Sequence, residues 1–134
     1  MSVESIGQKH KDVLQIWSVF EDENQIRASL VIVEPEHRGQ GIGREIFDEL
    51  NSYADRTGKT IVLSPDSNFG ISKNKLIKFY RSLGYVLNRG RNKDYEISDS
   101  MYRLPKQQQF NEGLKTLIHK TLDDILKTMD FNAI

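Results

Sequence analysis

The chain has 134 residues, of which 37% are hydrophobic and 28% charged, a composition typical of a single globular domain. Its 19 basic residues balance 19 acidic ones, so the net charge gives no reason to expect a nucleic acid or a membrane as a partner. The absence of cysteine excludes disulfides, zinc–thiolate sites and thiol nucleophiles, and the scattered histidines offer no metal-ligand spacing. No apolar run approaches membrane-spanning length, and we expect a cytoplasmic protein.

The first half of the chain predicts a hairpin followed by a crossover. Residues 1–11 are polar and are expected to be loose, whereas residues 13–21 and 26–34 are rich in β-branched and aromatic residues and predict two antiparallel strands. A helical stripe follows, ending near Gly58, and residues 60–63 form a short buried strand. Strand, helix and strand in this order predict a right-handed crossover between parallel strands. The stripe consists of Ile42, Ile46, Phe47, Leu50, Tyr53 and Ala54.

The second half predicts a loop, a helix and two further strands. Residues 64–72 are loop-like, residues 74–83 form an amphipathic helix ending at Gly84, and residues 85–87 and 94–104 predict strands. The connection at residues 88–93 is basic. After Pro105 an apolar stripe predicts a C-terminal amphipathic helix, which packs on the domain, on a second protomer as a homodimer interface, or on another partner protein.

The connection between the second strand and the first long helix is rich in glycine. Gly39, Gly41 and Gly43 lack a Cβ, so the backbone can adopt unusual dihedral angles and approach a ligand closely. A helix N-terminus presents free N–H groups at the positive end of its dipole, and Arg38 adds a cation. This segment therefore predicts a site for a phosphorylated cofactor.

Two segments resemble the signatures of the GCN5-related N-acetyltransferases (GNATs). Residues 38–43, Arg-Gly-Gln-Gly-Ile-Gly, are similar to the family's Arg/Gln-x-x-Gly-x-Gly/Ala acyl-CoA motif, and residues 76–85 resemble its Tyr-bearing helix that ends in Gly-Phe or Gly-Tyr. The resemblance covers residues 13–104. The Lys-Leu-Ile-Lys-Phe-Tyr and Arg-Asn-Lys-Asp-Tyr strings are similar to shortened acetyltransferase-like proteins of phages and mobile elements.

The resemblance implies an α/β fold, or α+β by some conventions. We expect a mixed, twisted sheet of five or six strands with helices on both faces and a V-shaped opening between the strands that end at Val33 and Leu63. The family's N-terminal helices are missing in this interpretation. Residues 1–104 form the acyl-CoA-binding domain and residues 105–134 a helical extension.

The resemblance also implies a site for acetyl-CoA or CoA. The backbone of Val31 and Val33 pairs with the pantetheine arm, and N–H groups in the glycine turn hold the pyrophosphate. The turn comprises Arg38, Gly39, Gln40, Gly41, Ile42 and Gly43. Tyr80 is the catalytic residue, because a phenol near the thioester sulfur can protonate the leaving thiolate. Where relatives often carry Asn, this chain has Lys73, followed by Asn74, and either is expected to serve the cofactor.

The implied activity is direct transfer of an acetyl group from acetyl-CoA to a primary amine of a small molecule or protein. The alternative is an inactive CoA-binding or protein-interaction module that keeps the fold. The general base is left open among Glu21, Glu34 and Glu36, and His37 is expected to face solvent.

The basic connection also has two interpretations. Arg89, Arg91 and Lys93 form a solvated tip or a gate that attracts an acidic acceptor or the 3′-phosphate of the cofactor.

Overall fold

The computed structural model describes residues 2–106. None of the helices in that range is long and apolar enough to cross a membrane. Three-residue 3-10 turns interrupt the connections at Pro35–His37, Ser67–Phe69 and Gly90–Asn92. The helices and strands are α1 (Val3–Lys9), β1 (Leu14–Glu21), β2 (Gln25–Val33), α2 (Ile42–Thr57), β3 (Thr60–Leu63), α3 (Lys73–Ser82), β4 (Val86–Leu87) and β5 (Met101–Arg103).

The five strands form one mixed sheet in the order β1-β2-β3-β5-β4. β1 and β2 are an antiparallel hairpin, β2 and β3 are parallel, and β5 runs antiparallel to both β3 and β4. α2 is the crossover between the two parallel strands, and it ends at Gly58, whose φ of 69° is the left-handed conformation that glycine adopts easily. The predicted mixed sheet flanked by helices is confirmed.

All three described helices pack on one hydrophobic cluster, although the sequence predicted helices on both faces of the sheet. Phe47 and Leu50 of α2 belong to this cluster together with the strand residues Ile26, Ile61 and Met101. α1 adds Val3 and Ile6, and the partly buried side chains of Ile77, Phe79 and Tyr80 in α3, with Leu83 at its end, pack against the cluster. Strand periodicity predicts which residues are buried but not which element covers them, so the sequence did not indicate that these three helices share one cluster.

The N-terminal segment is a helix and not the loose segment that the sequence predicted. Ser2 caps α1 and exchanges hydrogen bonds with Ser5 in a capping box. Val3 and Ile6 are buried, and Lys9 Nζ lies 2.8 Å from Glu49 Oε1 of α2. Two apolar residues three positions apart are too weak a pattern to predict a helix, and this one depends on its contacts with α2 and β1.

The predicted strand over residues 94–104 is formed only at Met101–Arg103. In residues 94–99, just before β5, backbone groups bond to the side chain of Asn88 and not to a neighbouring strand. Asn88 Nδ2 donates to the carbonyls of Asp94, Ile97 and Asp99, and its Oδ1 accepts from the N–H of Asp94. Because these backbone groups bond to one buried amide, they form turns and not a ladder. The predicted C-terminal helix lies outside the described residues.

Candidate active site

A cavity of about 380 Å³ opens where β2 and β3 diverge. β2 pairs with β3 only at Gln25, Ile26 and Arg27. Beyond Arg27, β1 is the strand partner of β2, and residues 28–33 form one wall of the cavity. Residues 63–66, at the end of β3, form part of another wall. The predicted V-shaped opening is therefore present.

A β-bulge separates the part of β2 that pairs with β3 from the part whose edge faces the cavity. Ala28 lies opposite Val19 and Leu30 lies opposite Ser18, so Ser29 has no partner of its own in β1. A bulge of this kind bends and twists a strand. Backbone N–H and C=O groups on the cavity side of residues 28–33 are thereby left for an extended ligand that adds to the sheet as a strand would.

Two glycines in a left-handed conformation lead from β2 into α2. Gly39 and Gly41 have φ angles of 78° and 80°, and a Cβ on either would meet nothing within 4 Å. Gly41 is the N-cap residue of α2, and no side chain caps this helix. The first N–H groups of a 16-residue helix thus border the cavity at the positive end of the helix dipole, which suits an anion.

α3 contributes an aromatic wall. Phe79 and Tyr80 line the cavity, and their ring centroids lie 6.1 and 5.2 Å from that of Phe47 in α2. Among the described residues, no group hydrogen-bonds to the Tyr80 hydroxyl, and burial raises the pKa of Tyr80 to about 12. The phenol therefore stays protonated at neutral pH and has a hydrogen to donate to a group in the cavity.

A family model described as an acetyltransferase (GNAT) domain matches residues 8–87, which is more than half of the 134 residues. The chain belongs to the GNAT acetyltransferase family. No curated protein matches it significantly.

Several solved structures resemble the chain in part. The anti-CRISPR protein AcrVA5 is 26% identical over 63% of this chain and 83% of its own, with a TM-score of 0.49. Naa20 of Chaetomium thermophilum, in complex with a bisubstrate analogue, is 27% identical over 61% of this chain and 47% of its own, with a TM-score of 0.44. Ard1 of Thermoplasma volcanium is 15% identical over 77% of each chain, with a TM-score of 0.49.

Most residues that the GNAT motifs predicted as site residues border the cavity. Gln40, Lys73 and Asn74 are the exceptions, because their side chains are exposed and outside its lining. On α3 the cation that lines the cavity is Lys75. The predicted residues that do line it are Val31, Val33, Arg38, Gly39, Gly41, Ile42, Gly43 and Tyr80.

The Arg38 side chain links two segments of the GNAT fold. Its Nε donates to the carbonyl of Val33 and its Nη1 to the carbonyl of Phe69, each at 3.0 Å. The sequence predicted a fixed cation beside the glycine turn, and in the structure two donors of this guanidinium bond to the end of β2 and to the loop after β3. At Gly70, whose φ is 89°, a Cβ would lie 3.6 Å from Nη1.

Glu21 is excluded as the general base by its position. It ends β1 at the hairpin turn, where it pairs with Ile26, at the opposite end of β2 from the cavity. Its carboxylate accepts hydrogen bonds from the hydroxyl of Tyr53 and the ammonium of Lys59. The sequence suggested Glu21 because it ends a strand, but that strand runs antiparallel to β2, so its end lies far from the end of β2.

Neither of the other two glutamates that the sequence offered as bases lines the cavity, but the neighbouring His37 does. Glu34 and Glu36 lie outside the cavity lining, whereas His37, expected to face solvent, is half-buried and borders the cavity. Sequence reasoning also missed Ser64 and Asp66, which line it directly after β3. The available signal was their place after the buried strand 60–63, since polar residues at the carboxyl end of a parallel strand mark the ligand side of a sheet.

Three side chains that could ligate a metal lie close together beside a lysine that is paired with one of them. Ligand atoms of His10, Glu45 and Glu49 lie within 4.8 Å of one another, although the sequence predicted no such grouping. Lys9 Nζ already lies 2.8 Å from Glu49 Oε1, and His10 Nε2 lies 3.2 Å from the same oxygen. Lysine thus supplies the positive charge at Glu49, and these contacts join α1 to α2.

Proposed function

We propose that this chain transfers an acetyl group from acetyl-CoA to a primary amine by direct attack. The observation that carries the proposal is the shared cavity, in which the free edge of β2 and the N-terminus of α2 border one space. An acyl-CoA has the two features that such a space recognises, an extended amide-bearing arm and a diphosphate.

The diphosphate would lie on the N–H groups of residues 39–43. An added Cβ at Gly39 or Gly41 would point into open space, which leaves room there for phosphate oxygens. Arg44 and Lys75 line the same cavity and, like Arg38, have no salt bridge to a carboxylate among the described residues. Arg44 donates to Ser82 Oγ at 2.8 Å and stacks on Phe79, so its charge is held between α2 and α3. The arm would pair with the backbone of Val31 and Val33.

Tyr80 would act on the thioester sulfur by donating a hydrogen bond. Its pKa of about 12 lies well above that of an alkyl thiol, about 8.5, so passing its proton to a thiolate is uphill. A hydrogen bond from the phenol still stabilises the charge that develops on sulfur. We therefore assign Tyr80 as a donor that keeps its proton, and proton transfer falls to another group.

The proposed acceptor is a primary amine of a small molecule or a protein. The assignment to the short phage-like branch of the family rests on the two sequence strings of α3 and the basic connection. Homodimerisation through the predicted C-terminal helix concerns residues outside the described range.

The first test is calorimetric titration of acetyl-CoA into the wild type, Gly41→Trp and Gly58→Trp. Both glycines have left-handed φ angles and open space at the Cβ, but Gly58 ends α2 and Gly41 begins it. We expect micromolar binding by the wild type and Gly58→Trp, and at least about 100-fold weaker binding by Gly41→Trp, whose indole occupies the phosphate position. Binding lost equally in both variants, or absent in the wild type, contradicts the proposal.

Release of free thiol in the presence of amines then separates an enzyme from a binding module. Tight binding of acetyl-CoA without transfer to any primary amine would favour the CoA-binding module.

A further inference from the structure

The loop that follows β3 brings a single carboxylate to the cavity. Ser64, Pro65 and Asp66 all line it, and among the described residues of the lining Asp66 is the one acidic side chain. The cations of the lining come from other elements: Arg38 and Arg44 from the glycine turn and α2, and Lys75 from α3. The cavity therefore has a cationic side and an anionic position, contributed by separate segments of the chain.

Hydrogen bonds fix both ends of the 3-10 turn that the Asp66 carboxylate caps. One oxygen, Oδ1, accepts from the N–H of Asn68 at 2.9 Å and caps the 3-10 turn Ser67–Phe69. The far end of that turn is fixed by Arg38 Nη1, which donates to the carbonyl of Phe69. The other oxygen, Oδ2, has no hydrogen-bond partner among residues 2–106, and the side chain is half-buried.

Ser64 fastens the beginning of this loop to β5. Its hydroxyl donates to Asp99 Oδ1 at 3.3 Å and accepts from the N–H of Ser100 at 3.0 Å. Asp99 is in turn paired with Arg27, whose Nη2 lies 3.2 Å from Oδ2. Asp99 is thus neutralised by a neighbouring guanidinium, whereas Asp66 faces the cavity without a cationic partner among the described residues.

We infer that Asp66 binds the acceptor amine and accepts its proton during acetyl transfer. The inference rests on the proposed function. With phosphates on the glycine turn and the arm along β2, the thioester lies inside the cavity and the segment after β3 faces it across the opening. His37 is a poorer candidate because it lies one residue before the Arg38–Gly43 turn, at the phosphate end.

The proposed step balances without a further reactant. A neutral amine donates one N–H hydrogen bond to the Asp66 carboxylate, and its lone pair attacks the thioester carbon. As the C–N bond forms, the nitrogen becomes acidic and its proton passes to Asp66. The C–S bond then breaks, and sulfur leaves with the electron pair and takes that proton, because a carboxylic acid is a stronger acid than a thiol. Amide and free thiol are the products, and the carboxylate is regenerated.

The test uses n-butylammonium as a probe, since it presents a primary amine and little else. In backbone amide NMR spectra of the wild type, we expect n-butylammonium to shift signals of residues 64–66, and 1-butanol, which has the same chain and no charge, to leave them in place. Asp66→Asn keeps an oxygen that can cap Asn68, so the turn should survive while at least about 90% of the shift is lost. Asp48→Asn, which removes an exposed carboxylate of α2 outside the cavity, should behave as the wild type.

Kinetics with n-butylamine and acetyl-CoA provide the second readout. We expect Asp66→Asn to lower kcat/KM for the amine by about 100-fold or more at neutral pH while the affinity for acetyl-CoA stays within about twofold. Shifts centred on His37, shifts unaffected by Asp66→Asn, or an equal loss of acetyl-CoA affinity would overturn the inference. Failure of acetyl-CoA to bind the wild type would instead contradict the proposed function. The two failures can be told apart because the butylammonium shifts are measured without acetyl-CoA.

Discussion

At the scale of single residues, Tyr80 and Tyr85 show how neighbouring phenols acquire different roles. The Tyr85 hydroxyl donates to Asn51 Oδ1 at 2.7 Å inside the core, whereas the Tyr80 hydroxyl has no partner among the described residues and borders the cavity. Their rings contact each other, with centroids 5.7 Å apart. Helical spacing predicts that Tyr80 lies on the apolar face of α3, but it does not distinguish a core phenol from one that faces a ligand.

We expect Tyr80→Phe to lower kcat by about tenfold and leave the Kd for acetyl-CoA unchanged, because one hydrogen bond to the leaving sulfur is worth about 1–1.5 kcal/mol. Tyr85→Phe should cost about 1 kcal/mol in the free energy of unfolding and leave kcat unchanged. Steady-state kinetics and urea unfolding of both variants provide the check. A drop of about 1,000-fold for Tyr80→Phe would mean that the phenol does transfer its proton.

The ion pair between Asp55 and Arg103 predicts a pH-dependent stability. Burial by itself raises the pKa of Asp55, but hydrogen bonds from Arg103 and from the N–H of Lys106 outweigh it, and the pKa is lowered from its ordinary value. The carboxylate therefore stabilises the folded state fully above its unfolded pKa of about 3.9, and this contribution is lost as the pH falls through the lower folded pKa.

We expect Arg103→Met to cost about 3 kcal/mol at pH 7 and clearly less at pH 3, where Asp55 can be protonated, as measured by urea unfolding. Arg27→Met is the matched control, because it removes the Arg27–Asp99 pair, whose arginine side chain is 45% exposed, and should cost less than about 1 kcal/mol. An equal cost of Arg103→Met at the two pH values would contradict this explanation.

At the scale of elements, α1 depends on a close approach to β1. An added Cβ at Gly7 would lie 2.5 Å from Trp17 Nε1, which is closer than side chains tolerate, whereas a Cβ at Gly43 would lie an ordinary 3.7 Å from Phe79. The missing side chain at Gly7 thus permits the helix to pack on the indole. The sequence alone predicts a loose segment here because the contact between Gly7 and Trp17 joins residues of different elements.

We expect Gly7→Ala to destabilise the fold by about 1–3 kcal/mol and to shift the emission of the single tryptophan to longer wavelength, since α1 must move away from Trp17. Gly43→Ala should change the free energy of unfolding by less than about 1 kcal/mol and retain acetyl-CoA binding, because its Cβ fits and its φ is not left-handed. Equal destabilisation by the two substitutions would argue against a packing effect at Gly7.

At the scale of the whole molecule, the sequence determined the order of strand, glycine turn, helix and strand and most of the residues on the glycine-turn side of the cavity. These features depend on local periodicity and on backbone dihedral requirements, which neighbouring residues express by themselves. Only the tertiary structure placed Glu21 at the wrong end of the sheet, committed Arg38 to two carbonyls and brought Asp66 to the cavity. Strand direction, pairing register and crossover connections decide such distances between residues far apart in the chain, so a local pattern, such as the place of Asp66 after a buried strand, indicates a candidate residue but not its neighbours.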